Sequence, residues 1–140
     1  ATVVQINTGF SHLAGTVRGM HFQAPPNEEV KFVRCTRGRV LDVALDLRPD
    51  SETFCRWVGV ELGADDGRML WIPEGCAHGY QTLEPDTELL YTTSVPYAPD
   101  SATGVRWDDP TFGIQWPLPV TSISEADLSW PDFSTGTGYG

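Results

Sequence analysis

The sequence predicts an all-β fold, a two-layered sandwich or jelly roll, and three observations carry that expectation. Short runs rich in Val, Thr, Phe, Tyr and Trp recur along the chain, and Gly, Pro, Asp and Asn separate them. No segment sustains a 3.6-residue apolar period. The 140 residues suffice for one domain with buried sheet faces, but not for two.

The expected strands follow in order. Residues 2–7 and 16–23 are β-branched and aromatic runs, the second stopped by Pro25-Pro26-Asn27. Residues 30–36 and 40–47 flank Arg37-Gly38, a tight hairpin. Residues 54–62 and 69–72 flank Gly63-Ala64-Asp65-Asp66-Gly67, which reads as a polar hairpin loop. Pro73-Glu74-Gly75 forms a turn before residues 79–83, and residues 87–94 run to the break at Pro96. Beyond it a short strand is expected at 113–116. A helical turn is expected at 124–128, with Ser124 as its cap and Asp127 at its third position. The single domain is expected over 1–133, with 134–140 as a frayed Gly- and Thr-containing tail.

Composition narrows the function. A formal net charge of -10, from 19 acidic and 9 basic residues, argues against a nucleic-acid partner held by its backbone. Five of the basic residues, Arg18, Lys31, Arg34, Arg37 and Arg39, crowd one stretch, a local excess suited to a small anion or simply to solvated strand and turn positions. Cys35, Cys55 and Cys76 are odd in number and lack metal-ligand spacing, so reduced thiols in a cytoplasmic protein are expected. No apolar run is long enough for a membrane span, and no membrane partner is expected.

Candidate chemistry centres on two of the three histidines, His12, His21 and His78. In Gly-Thr-Val-Arg-Gly-Met-His-Phe-Gln, strict alternation places His21 with Val17 and Gly19 on one face, and Arg18, Met20 and Phe22 on the other. An inward-facing histidine is costly unless it is hydrogen-bonded or used, so it is either a satisfied core group or a functional one. His78, in Pro-Glu-Gly-Cys-Ala-His-Gly-Tyr, has the same two readings at a strand start. Asp42 interrupts an apolar strand and needs a partner, for which an interior His or Lys would serve. The scattered histidines include no His-x-His, no Gly-x-Ser-x-Gly elbow is present, and there is no phosphate loop of Walker type.

The order of five segments is more specific. Arg-Gly-Met-His-Phe-Gln at 18–23, Lys-Phe-Val-Arg-Cys at 31–35, Gly-Arg-Val-Leu-Asp-Val-Ala-Leu-Asp-Leu-Arg at 38–48, Leu-Trp-Ile-Pro-Glu-Gly-Cys-Ala-His-Gly-Tyr at 70–80, and Trp-Asp-Asp-Pro with Ile-Gln-Trp-Pro at 107–117 together resemble the dTDP-4-dehydrorhamnose 3,5-epimerase family. The resemblance runs from about Val4 to about Phe133.

This resemblance implies a cupin-type jelly-roll homodimer, without metal or cofactor, acting on a nucleotide-diphosphate 4-keto-6-deoxy sugar in deoxysugar (rhamnose) biosynthesis. It implies that His21 is the base that removes the proton next to the ketone, with Asp127 as its partner. Lys31, assisted by His78, would steady the enolate oxygen, and Tyr91 would return a proton from the opposite side. Arg18, Gln5, Asn7 and Tyr97 would hold the nucleotide and its phosphates. A related sugar-nucleotide ketoisomerase and a non-catalytic sugar-nucleotide binding module are the alternatives. Two departures from the family pattern stand out. An N-terminal Asp-x-Arg-Gly stretch that closes over the neighbouring subunit's nucleotide has no counterpart here, and Ile6 stands where the family commonly has Asp between Gln and Asn.

Overall fold

The computed structural model describes residues 2–133, and the tail expected at 134–140 lies outside the described residues. Among the described residues, nine strands form two antiparallel sheets: β1 (Gln5–Ser11), β2 (Val17–Gln23), β3 (Lys31–Arg37), β4 (Arg39–Asp46), β5 (Trp57–Gly63), β6 (Met69–Ile72), β7 (Cys76–Thr82), β8 (Thr87–Thr93) and β9 (Ala102–Gly104). One sheet runs β1-β8-β3-β6 and the other β5-β4-β7-β2-β9. The expected all-β sandwich is present.

Alternation along the strands builds two apolar layers. Val33, Val40, Leu62, Ile72, Tyr80 and Leu89 fill the space between the sheets. Met20, Phe22, Val43, Leu45 and Ala77 lie on the other face of the five-stranded sheet, where Val105 and Phe112 cover them. Residues 113–116 therefore do not form the expected strand. The segment instead packs Ile114 and Trp116 as an irregular cover onto this second layer.

Three further expectations are corrected. Residues 63–67 do not close a hairpin, because β5 and β6 belong to different sheets and the turn carries the chain across the sandwich. The first strand starts at Gln5 and runs on to Ser11, where it pairs along β8 as far as Thr87. The strand around His78 begins at Cys76, so His78 lies within β7 rather than at its start. The expected helical turn is present as α1 (Glu125–Leu128), with the Ser124 side chain accepting the Asp127 amide hydrogen.

The five crowded basic residues do not converge. Alternation on β3 buries Lys31 and exposes Arg34. Arg39 meets Glu61, Asp65 and Glu84, and Arg37 lies over the Phe10 ring. Cys35, Cys55 and Cys76 are free thiols.

Candidate active site

The site depends on an irregularity in β2. Arg18 pairs with Tyr80 of β7, and three residues later His21 pairs with His78, so Gly19 and Met20 together oppose Gly79. This bulge defeats strict alternation. Arg18 and His21 share the side of the sheet that carries His78 and Tyr80, whereas Met20 and Phe22 point into the opposite apolar layer. The sequence expectation that separated Arg18 from His21 fails for this reason. Gly19 is required here: its φ is +134°, and an added Cβ would lie 2.7 Å from the Gly79 Cα.

α1 brings Asp127 to His21, with Oδ1 at 2.5 Å from Nε2. The other carboxylate oxygen accepts the Gly19 amide hydrogen at 3.1 Å, and the Trp130 indole donates to Oδ1 at 3.3 Å. Burial by itself would raise the Asp127 carboxyl, but the His21 hydrogen bond and charge, the Gly19 amide and Trp130 outweigh it and hold the group below its ordinary value. An ionised Asp127 only accepts, so His21 carries its proton on Nε2 and leaves Nδ1 as the basic nitrogen. The His21 side chain is 46% exposed and its partner 5%.

A cavity of about 480 Å³ opens between the sheets beside His21. It brings together six of the nine candidate residues: His21 from the five-stranded sheet, Lys31, Tyr91, Gln5 and Asn7 from the four-stranded sheet, and Tyr97 from the loop after β8. Gln5 donates to Asn7 at 3.1 Å and accepts the Tyr97 amide hydrogen at 3.2 Å, which ties these three into one rim. Lys31 lies with its Nζ 5.6 Å from the Tyr91 ring centroid. Burial pushes the Tyr91 phenol above its ordinary value, the Glu29 carboxylate adds to this, and Arg18 opposes it.

The remaining three candidates sit around the cavity rather than on its wall. Asp127 stands behind His21, where a second hollow is lined by Arg18, Asp127 and Trp130. Arg18 donates to the Phe10 carbonyl at 2.7 Å. His78 is buried against the Tyr91 ring, centroids 6.4 Å apart, and its Nε2 lies 2.6 Å from Asp42 Oδ1. The interior partner expected for Asp42 is thus His78. Among the described residues, no group of three or more His, Cys, Asp or Glu side chains converges as a metal site would require.

Sequence reasoning missed Gln23, Glu29, Thr93 and Trp130, all of which line the cavity. Two of them share strand or segment parity with residues already singled out, Glu29 with Lys31 and Thr93 with Tyr91. Trp130 lies three residues beyond Asp127, just past the end of α1. Gln23 is buried and accepts the Ala98 amide hydrogen at 2.8 Å, fastening the Tyr97 loop to β2.

The family model described as dTDP-4-dehydrorhamnose 3,5-epimerase matches residues 1–135. A dTDP-4-dehydrorhamnose 3,5-epimerase from Sinorhizobium fredii is 47% identical over 130 residues, 92% of this chain and 67% of that protein. The chain therefore spans about two thirds of that relative's length. The crystal structure of the Bacillus anthracis dTDP-4-dehydrorhamnose 3,5-epimerase, with TDP and PPi bound, superposes with a TM-score of 0.92 at 40% identity, covering 94% of this chain and 75% of that one. A Legionella pneumophila dTDP-6-deoxy-D-glucose-3,5-epimerase, in complex with dTDP-4-keto-L-rhamnose, gives a TM-score of 0.87 at 37% identity over 92% of this chain and 68% of that one. On a match of this extent, the chain belongs to the dTDP-4-dehydrorhamnose 3,5-epimerase family.

Proposed function

We propose that the protein is an epimerase of a nucleotide-diphosphate-linked 4-keto-6-deoxy sugar, inverting C3, C5 or both through an enolate. The observation that carries this reading is His21, on one wall of a cavity whose facing sheet supplies Tyr91 and Lys31, backed by Asp127 at 2.5 Å. In the first step the bond from carbon to hydrogen breaks. The proton passes to His21 Nδ1, and the electron pair moves toward the ketone oxygen. Asp127 stabilises the imidazolium that forms. The Lys31 ammonium, assisted by His78 from the layer below, offsets the negative charge on the enolate oxygen. Tyr91 then gives its hydroxyl proton to the other face of the carbon as the ketone re-forms, and solvent exchange resets both groups.

Gln5, Asn7 and Tyr97 at the rim, with Arg18 nearby, are assigned to the nucleotide and its phosphates. The same reading includes a homodimer, supported by the exposed apolar side chains of Ile6, Phe32 and Trp71, and a cytoplasmic location, supported by three free thiols. No helix among the described residues is long and apolar enough to cross a membrane.

The test is solvent-deuterium incorporation into a dTDP-4-keto-6-deoxyglucose substrate, read carbon by carbon. Wild type is expected to incorporate deuterium at C3, C5 or both. His21→Asn should lower incorporation at least about 100-fold, and Tyr91→Phe should retain exchange while impairing inversion. Absence of incorporation in the wild type overturns the assignment.

A further inference from the structure

One carboxylate in the cavity has no role in the steps above. Glu29 lies two residues before Lys31, just ahead of β3, and its Oε1 is 3.4 Å from Lys31 Nζ. The two side chains are only 11% and 10% exposed, and both line the cavity together with Tyr91. A negative charge in a recess meant for a diphosphate-bearing ligand works against binding, and a carboxylate so far removed from water is costly. Such a group is retained at a site where its charge is used.

We propose that Glu29 is a positioning residue of this reaction, anchoring the Lys31 ammonium and holding Tyr91 as a proton donor. The proposal rests on the epimerase reading for its purpose. Its physical content does not.

An unbalanced ammonium above a phenol favours the phenolate, which cannot deliver a proton. Glu29 counters that cation at short range. The charged and titratable groups facing Tyr91 are few: Lys31 and Glu29 from the β3 side, Arg18 and His21 from β2, and His78 and Tyr80 from β7, with Asp42 of β4 behind His78. Burial does most to raise the phenol, Glu29 is the carboxylate whose field adds to it, and Arg18 opposes both, while the Lys31 ammonium lies over the ring. The same ion pair holds Lys31 Nζ beside the ring instead of letting the long side chain swing to solvent.

The experiment is an ultraviolet difference titration of tyrosinate, with the Tyr91→Phe spectrum subtracted to isolate Tyr91. Glu29→Gln should shift the Tyr91 midpoint down by roughly 0.5 to 1 pH unit, the scale of one partly screened charge at this range. Glu29→Asp, which keeps the charge, should stay near wild type. Glu29→Ser, which admits water beside the ammonium, supplies the same comparison if the Gln variant does not fold. A Gln or Ser titration that superimposes on wild type overturns the proposal. This readout needs no turnover, so it stands even if deuterium incorporation fails. With turnover, the alkaline limb of kcat/KM should move down by the same interval in Glu29→Gln.

Discussion

His21 and His78 face each other across the β2–β7 pair, and each places its Nε2 against a different buried carboxylate, Asp127 at 2.5 Å and Asp42 at 2.6 Å. Exposure separates their uses. The His21 side chain is 46% exposed and meets the cavity, whereas His78 is 6% exposed and its aspartate is fully enclosed. The second oxygen of Asp42 has no hydrogen-bond partner among the described residues, so His78 is the one side-chain donor this carboxylate has.

The two pairs should therefore respond differently to truncation. Asp42→Ala is expected to cost about 2–3 kcal/mol of stability, because it leaves a buried imidazole nitrogen unpaired. Asp127→Ala should cost less stability and most of the exchange activity. Urea unfolding beside deuterium incorporation separates the two effects. Equal stability losses would contradict the distinction.

Gly19→Ala is expected to disable the site without touching a polar group. The new methyl meets the Gly79 backbone, and the positive φ adds about 1–3 kcal/mol of strain. Because the Gly19 amide also holds Asp127, relaxation of the bulge displaces both members of the pair. Exchange activity should fall at least about 10-fold with a lowered Tm. Unchanged activity would show that the bulge is dispensable.

Acid should destabilise the fold through Asp46. Burial raises this carboxyl, but Arg48, Ser51, Thr53 and the Arg48 amide overcome that and hold it far below its ordinary value of 3.8. A depressed folded-state pKa contributes stability above the unfolded value, and that contribution is lost as pH falls through the folded one. Asp127 and Asp109 are lowered in the same sense. Melting temperature should drop steadily below about pH 4. Asp46→Asn should be less stable at neutral pH and show a flatter decline on acidification.

The outer face of the four-stranded sheet carries the dimer prediction. Register aligns Ile6, Thr92, Phe32 and Trp71 in one row across all four strands. Ile6 and Trp71 are 63% and 55% exposed. The three exposed apolar side chains of this row, Ile6, Phe32 and Trp71, are expected to bury themselves against a second copy. Sedimentation equilibrium should find a dimer for wild type and monomer for Phe32→Glu combined with Trp71→Lys. A monomeric wild type at micromolar concentration would refute it.

The strands were legible because alternation and turn chemistry are local properties, and the helical turn holding Asp127 was legible from its Ser124 cap. What escaped was non-local. Nothing in Gly63–Gly67 says whether the next strand returns to the same sheet or crosses to the other, since that depends on what covers the apolar face of β5. The face shared by Arg18 and His21 was misread because a bulge costs one residue of register, and its only trace is a glycine. Glu29 carries no signal of its own in the sequence beyond its parity with Lys31. It shares its cavity with the Tyr97 loop, which Gln23 fastens from a distant strand.

The groups proposed to remove and to return the proton stand on different sheets, His21 on one and Tyr91 on the other, with Val33, Leu62 and Leu89 packed between those sheets. The thickness of that aliphatic filling acts as a ruler for the reaction. On the proposed mechanism, enlarging or trimming it should change the gap a sugar ring must bridge, and with it how often an abstracted proton is followed by inversion rather than by return to the same face.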